Sequence, residues 1–249
     1  MNFFGDILLE TAGIIIIGNE ILSGKVKDIN SPYLCQELRI LGVEVRQIMT
    51  IPDVPEIIGQ TAVDFSKKYT WVFTSGGIGP THDDITISSI ANGFGVGLYE
   101  SPKIIKIIEG FHGKNMTDAH KRMAMIPEGS KLIETLKGRP PQLQFKNIFI
   151  FPGIPEFLKI RFSGIKERFR TTPIVMKQIF LKADEGDIAA SLDETQQAYP
   201  ELQLGSYPKI SGSDYNVKLT LECRDDLYLQ EACDFLCERL SDESILRIK

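Results

Sequence analysis

The chain has 249 residues, enough for one large domain or one with a smaller companion. Apolar residues make up 43% and charged residues 24%, so a packed core is available and disorder is excluded as the main state. The net charge of -5 argues against a protein that lives on nucleic acid, and no run approaches the ~18 apolar residues of a membrane span.

Met1–Glu10 carries Asp6 and Glu10 and no Lys or Arg, unlike the basic start of a secretory signal. From Thr11 the pattern alternates strand and helix. Ile14–Ile17 reads as a strand buried on both faces and ending at Gly18. A helix follows, with Asn30 or Ser31 as N-cap, Pro32 at its first position and Gly42 as its stop. Val43–Met49 is the next strand. Asp53-Val54-Pro55-Glu56 reads as a capped helix start, and Trp71–Thr74 as a third strand. That strand runs into Ser75-Gly76-Gly77-Ile78-Gly79-Pro80. The spacing then predicts helices over 85–94, from Ser101 with a buried side of Ile104, Ile105, Ile107 and Ile108, and over 155–169 after a strand at 147–151. This is an α/β fold: a three-layer α/β/α sandwich with a mostly parallel sheet, over 11–170.

Near Thr171-Thr172-Pro173 the pattern changes. Strands 174–182, 202–207, 215–223 and 245–248 and helices 187–198 and 227–240 give the order β-α-β-β-α-β, a small ferredoxin-like α+β domain over 171–249. The four cysteines, Cys35, Cys223, Cys233 and Cys237, fit neither zinc nor disulfide spacing, so a reducing, cytoplasmic setting is expected.

The segment Thr74–Thr86 sits at the carboxyl end of a parallel strand, where open α/β sheets bind ligands. Its glycines let backbone N–H groups reach an anion, and the next helix start adds positive potential. A phosphate cradle and a structural tight turn are both open readings. The loop is neither a Walker loop nor a dinucleotide fingerprint. Asp83 and Asp84 are either N-caps or ligands of a divalent cation. Asp53 and Glu20 belong to the same sheet edge, with the same two readings for Asp53. His82, His112 and His120 lack metal-ligand spacing.

The segment Ser75–Thr86 resembles the signature loop of the MoaB/MogA/CinA superfamily of molybdopterin-binding-like domains. Gly18-Asn19-Glu20-Ile21-Leu22-Ser23-Gly24, Asp28-x-Asn30-Ser31 and Phe151-Pro152-Gly153-Ile154-Pro155-Glu156 resemble elements of the CinA-type branch. With Leu204-Gly205-Ser206-Tyr207-Pro208 and Val217–Leu221, the chain resembles most the N-terminal domain of eukaryotic FAD synthase. The resemblance implies hydrolysis of a nucleotide pyrophosphate, FAD to FMN and AMP, or ADP-ribose. It implies a divalent metal of the cobalt or magnesium type, with potassium, and a homo-oligomer. It implies metal and adenylyl chemistry for Asp84 and Asp53; the sheet-edge reading adds Glu20 to the metal, and catalysis is expected of Asp84, Asp53 and Asp83, with Asp83 or His82 orienting the attacking water. Ser75, Gly76, Gly77, Gly79, Thr81, Gly18, Asn19, Asn30 and Gly153 would hold the substrate. Arg139-Pro140-Pro141 departs from the Ala-Pro-Gly of CinA-type chains, which weighs against ADP-ribose. No segment resembles an adenylyltransferase or deamidase domain, so the chain is not expected to make FAD alone. Non-catalytic binding of a flavin nucleotide or molybdopterin, or regulation of a separate FAD synthase domain, is the alternative.

Overall fold

The computed structural model describes residues 10–135, 140–209 and 214–249. Asp6 of the acidic N-terminal run, and Arg139, lie outside the described residues. The chain divides between Thr171 and Thr172 into two compact units.

The first unit opens with β1 (Thr11–Ile17), the one-turn α1 (Asn19–Leu22), α2 (Asn30–Ile40), β2 (Glu44–Ile51), α3 (Pro55–Lys68) and β3 (Trp71–Ser75). It continues through α4 (Thr86–Gly93), β4 (Leu98–Glu100), α5 (Pro102–His112), α6 (Asp118–Arg122), β5 (Met125–Pro127), β6 (Lys131–Ile133), β7 (Gln142–Phe145), β8 (Ile148–Phe151) and α7 (Pro155–Ser163). A six-stranded sheet runs β2-β1-β3-β8-β7-β6. Its first four strands are parallel, β7 is antiparallel to β8, and β6 is antiparallel to β7.

The aliphatic run of β1 is buried from Ala12 to Ile17 because both faces of the sheet are covered. Its period of two sends Ile14 and Ile16 to a core with Leu34 and Leu38 of α2 and Leu158 and Phe162 of α7. Ile15 and Ile17 go to the opposite core with Ile58 and Phe65 of α3 and Ile90 of α4. The result is the α/β/α layering expected.

Several local expectations change. Helix α2 starts at Asn30 itself, so neither Asn30 nor Ser31 is its cap. The Asp28 carboxylate takes that role by accepting the N–H groups of Asn30 (2.9 Å) and Ser31 (3.1 Å). The helix read over 155–169 stops at Ser163 beside Gly164 and resumes as a 3-10 turn, Lys166–Phe169. That break turns Phe169 into a cluster with Trp71, Phe73, Phe149 and Phe162. Of the four isoleucines expected to bury α5, only Ile108 is buried; Ile104, Ile105 and Ile107 stay half-exposed. Strands β4 to β7 have three or four residues each, too few for alternation to register.

The second unit contains β9 (Val175–Leu181), α8 (Glu185–Ala198), β10 (Gln203–Pro208), β11 (Val217–Cys223), α9 (Asp226–Cys237) and β12 (Ile245–Ile248). Its antiparallel sheet runs β10-β11-β9-β12, the order that the split βαβ pattern requires. Ile179, Leu181, Leu219, Leu221, Leu229 and Leu236 form its core, with Cys233 among them. No helix among the described residues is long and apolar enough to cross a membrane.

Candidate functional site

The ends of β1, β2, β3 and β8 deliver the segments singled out in the sequence to one sheet edge. After β1, the Gly18 N–H donates to the Ile51 carbonyl at 3.2 Å. The Asn19 N–H donates to Asp53 Oδ2 at 2.8 Å. Asp53 therefore pins the β1 loop and does not cap α3, which begins at Pro55 with no side-chain cap. Glu20 is exposed and folds back over Gly18: a Cβ there would meet its Oε1 at 2.4 Å.

The loop after β3 needs its glycines. Gly76 has φ 116° and Gly77 φ 64°, the left-handed region that side chains disfavour. A Cβ on Gly76 would lie 2.0 Å from the Ile17 carbonyl oxygen, and one on Gly77 2.4 Å from Thr86 Oγ1. Thr86 clamps the loop: its hydroxyl donates to the Gly76 carbonyl at 2.9 Å, and its N–H to the Gly77 carbonyl at 3.0 Å. The Gly76 N–H is taken by the Phe151 carbonyl at 3.2 Å. The N–H groups of Gly77, Ile78 and Gly79 have no acceptor among the described residues. They lead toward the N-terminus of α4, so unengaged donors and the positive end of a helix dipole come from one segment.

Asp84 does not cap α4, whose N-cap is Ile85 with no side-chain bond. Its Oδ2 accepts the Thr81 N–H at 2.8 Å and the Thr81 hydroxyl at 2.5 Å. Oδ1 keeps no partner among the described residues. Asp83 and His82 are exposed, with His82 Nδ1 4.0 Å from Asp83 Oδ1. The Thr81 hydroxyl beside Asp83, and a backbone N–H, hold its carboxyl below the usual carboxylate range, and His82 adds a smaller pull. On the other side of the loop, buried Asn30 donates through Nδ2 to Ser75 Oγ (2.9 Å) and to the Gly153 carbonyl (2.7 Å). The Ser75 hydroxyl in turn donates to the Pro152 carbonyl at 3.2 Å. Asn30 Oδ1 is buried without a partner among the described residues.

Two cavities flank the glycine loop. One of about 100 Å³ is walled by Glu20, Asp28, Asn30, Ser75 and Gly153. One of about 170 Å³ is walled by Gly79, Thr81, Asp84, Ser88 and Arg122. Sequence reasoning missed Arg122, whose Nη2 donates to the Pro80 carbonyl at 3.3 Å. An arginine at the end of a five-residue helix carries no pattern that points to a loop so far upstream. Thr86 was missed as the clamp for the same reason.

The metal set reads differently in space. No three His, Cys, Asp or Glu side chains gather into a metal centre among the described residues. Asp53 accepts the Asn19 N–H, Asp84 accepts from Thr81 and the Glu20 carboxylate lies over Gly18, so the three acids form no preassembled cage. What fits the oxygen donors present is a hard cation held by one or two carboxylates together with phosphate oxygens, as Mg²⁺ is commonly bound.

Residues 13–171 match the family described as "Probable molybdopterin binding domain", and residues 173–249 match "FAD synthase, middle domain". A protein of Archaeoglobus fulgidus is 33% identical over 79% of this chain and 85% of its own length. The Caenorhabditis elegans protein named Probable FAD synthase is 28% identical over 93% of this chain and 50% of its own. The chain thus spans about half the length of the FAD synthases it matches. The crystal structure of CinA, of unknown function, from Thermoplasma acidophilum aligns with TM-score 0.60 and 27% identity over 65% of this chain and 100% of that one.

Proposed function

The chain belongs to the molybdopterin-binding-domain family, and from that premise we propose that it hydrolyses a dinucleotide pyrophosphate, FAD to FMN and AMP, with ADP-ribose as the alternative substrate. The observation that carries this is the set of unengaged N–H groups at Gly77, Ile78 and Gly79 beside the Asp84 carboxylate. Preorganised donors favour the pyrophosphate and stabilise the charge that builds on a phosphoryl oxygen as water attacks. Arg122 supplies a cation at the same cavity. The match to a FAD synthase middle domain and the relatives named Probable FAD synthase support a flavin nucleotide as the ligand.

In this reading Asp84, with the Thr81 hydroxyl that already touches it, holds the divalent ion, of cobalt or magnesium type. Glu20 and Asp53 act from the neighbouring loop, and potassium is a further ion. A bound divalent ion polarises a phosphoryl oxygen and lowers the pKa of water. The water oxygen would bond to phosphorus as the bridging P–O bond breaks; the bridging oxygen leaves with the other nucleotide, both products are phosphate monoesters, and the water's proton is released to solvent. Asp83 is ionised at neutral pH and its basicity is low, so its role is to orient water by accepting a hydrogen bond. Asn30, Ser75 and Gly153 line the other cavity, and Gly18, Asn19 and Gly76 belong to the loops beside it and would complete the substrate wall.

The test is chromatography of FAD and ADP-ribose incubated with the protein, with and without cobalt or magnesium and potassium. Metal-dependent appearance of FMN and AMP is the expected result. A second reading, binding without cleavage, is suited by the Asp53 and Asp84 carboxylates each being engaged by a backbone N–H of the loops they hold. Raised thermal stability with FAD and no product would establish it, because a ligand bound by the folded state alone stabilises that state.

A further inference from the structure

A third cavity, of about 190 Å³, lies beside the Asp84 cavity and shares Ile78, Ile87 and Met123 with it. Its other walls are largely apolar and include Ile104 and Ile107, the half-exposed face of α5. The polar side chains on its wall are His112 and Arg161. Arg161 comes from α7, and its guanidinium has no hydrogen-bond or ion-pair partner among the described residues.

A guanidinium carries five donors and no acceptor, and half-buried Arg161 brings them to the cavity wall with no protein counterpart among the described residues. Burial pulls its pKa below the ordinary arginine value, yet it remains a cation at neutral pH. What resolves such a site is a flat, apolar ligand with one acceptor-rich edge. An isoalloxazine ring has that form: a dimethylbenzenoid side and, opposite, a pyrimidinedione edge with two carbonyls. Adenine is smaller and has no carbonyl; its amine-bearing edges set one ring-nitrogen acceptor beside a donor, so it offers a guanidinium fewer acceptors than the flavin edge. The shared walls place a ring here next to the phosphate-binding loop. Together the two cavities reach the lower end of the ~300–1,000 Å³ typical of small-molecule sites.

We propose that this cavity is the flavin-ring subsite of the pyrophosphate site, and that Arg161 selects the flavin over adenine by donating to the ring's carbonyl edge. The proposal rests on the reading of the glycine loop as a dinucleotide site.

The experiment measures binding of riboflavin, FMN and ADP-ribose to the wild type, Arg161→Leu and Ile107→Trp, with thermal melting of each protein. Riboflavin has no phosphate and probes the cavity alone. Arg161→Leu should weaken riboflavin and FMN by roughly tenfold or more, the scale of a lost charge-assisted hydrogen bond. ADP-ribose should be unchanged. Equal weakening of FMN and ADP-ribose, or no weakening of either, overturns the proposal. If Arg161→Leu melts early, Ile107→Trp keeps the cation and fills the cavity; it must show the same selective loss, and a failure to do so is equally fatal. FAD cleavage without riboflavin binding removes the ring subsite and leaves the hydrolase standing. Arg161-dependent riboflavin binding without cleavage of any dinucleotide does the reverse.

Discussion

At the scale of single residues, the glycine loop is held by backbone geometry that its sequence declares. Gly76 needs a positive φ and has the Ile17 carbonyl where a Cβ would go. Gly95 also has positive φ, but nothing lies within 4 Å of its added Cβ. The pair therefore separates two effects. Gly95→Ala should cost about 1 kcal/mol, the conformational penalty alone. Gly76→Ala should cost clearly more and abolish FAD binding, because the β1 and β3 ends must separate. Thermal melting of both variants checks this, and equal melting temperatures would contradict it. The glycines were legible because few residues tolerate such turns. The acids were not. Asp53 and Asp84 each stand before a helix, and a cap and a loop clamp have the same sequence signature. Only the fold shows Asp53 on the Asn19 N–H and Asp84 on Thr81.

At the scale of elements, periodicity located the strands that carry the site. Ile14–Ile17 and Trp71–Thr74 read correctly because fully buried parallel strands leave continuous apolar runs. Helix ends were less legible, because a cap is decided by which neighbour reaches the free N–H groups. At α2 that neighbour is Asp28, which also accepts the Ser31 hydroxyl. Asp28→Ala should destabilise the first unit by about 0.5–2 kcal/mol, the range for a lost N-cap. It should also loosen Asn30, which links Ser75 to Gly153. Urea unfolding measures the first effect, and an unchanged midpoint would remove Asp28 from the capping role. The apolar stripe of α5 looked like core in the sequence. It walls a cavity instead, a difference that periodicity cannot express, because a buried face and a ligand-lining face repeat alike.

At the scale of the molecule, the β-α-β-β-α-β order was legible as a whole, since each strand of the second unit alternates or runs apolar between clear breaks. That unit has its own core of Ile179, Leu181, Leu219, Leu221, Leu229 and Leu236. Residues 172–249 expressed alone should therefore unfold cooperatively, which circular dichroism on heating can follow; a featureless melt would contradict that independence. The homo-oligomer stays a proposal of family resemblance, tested by gel filtration of the full chain. What no sequence pattern carried was the convergence of Arg122, Asp84 and the glycine-loop donors on one cavity, which depends on α6 returning to the loop.

The central claim is that Asp84 and the glycine loop act on a bound pyrophosphate, and turnover of FAD by Asp84→Asn tests it most directly. The substitution keeps the shape of the side chain and its contact with Thr81 while removing the charge that would hold a divalent ion. The account predicts that FAD still binds and that metal-dependent formation of FMN and AMP falls by at least about a hundredfold, the scale of losing a principal electrostatic contributor. Full turnover by Asp84→Asn, with the same dependence on metal, would contradict it.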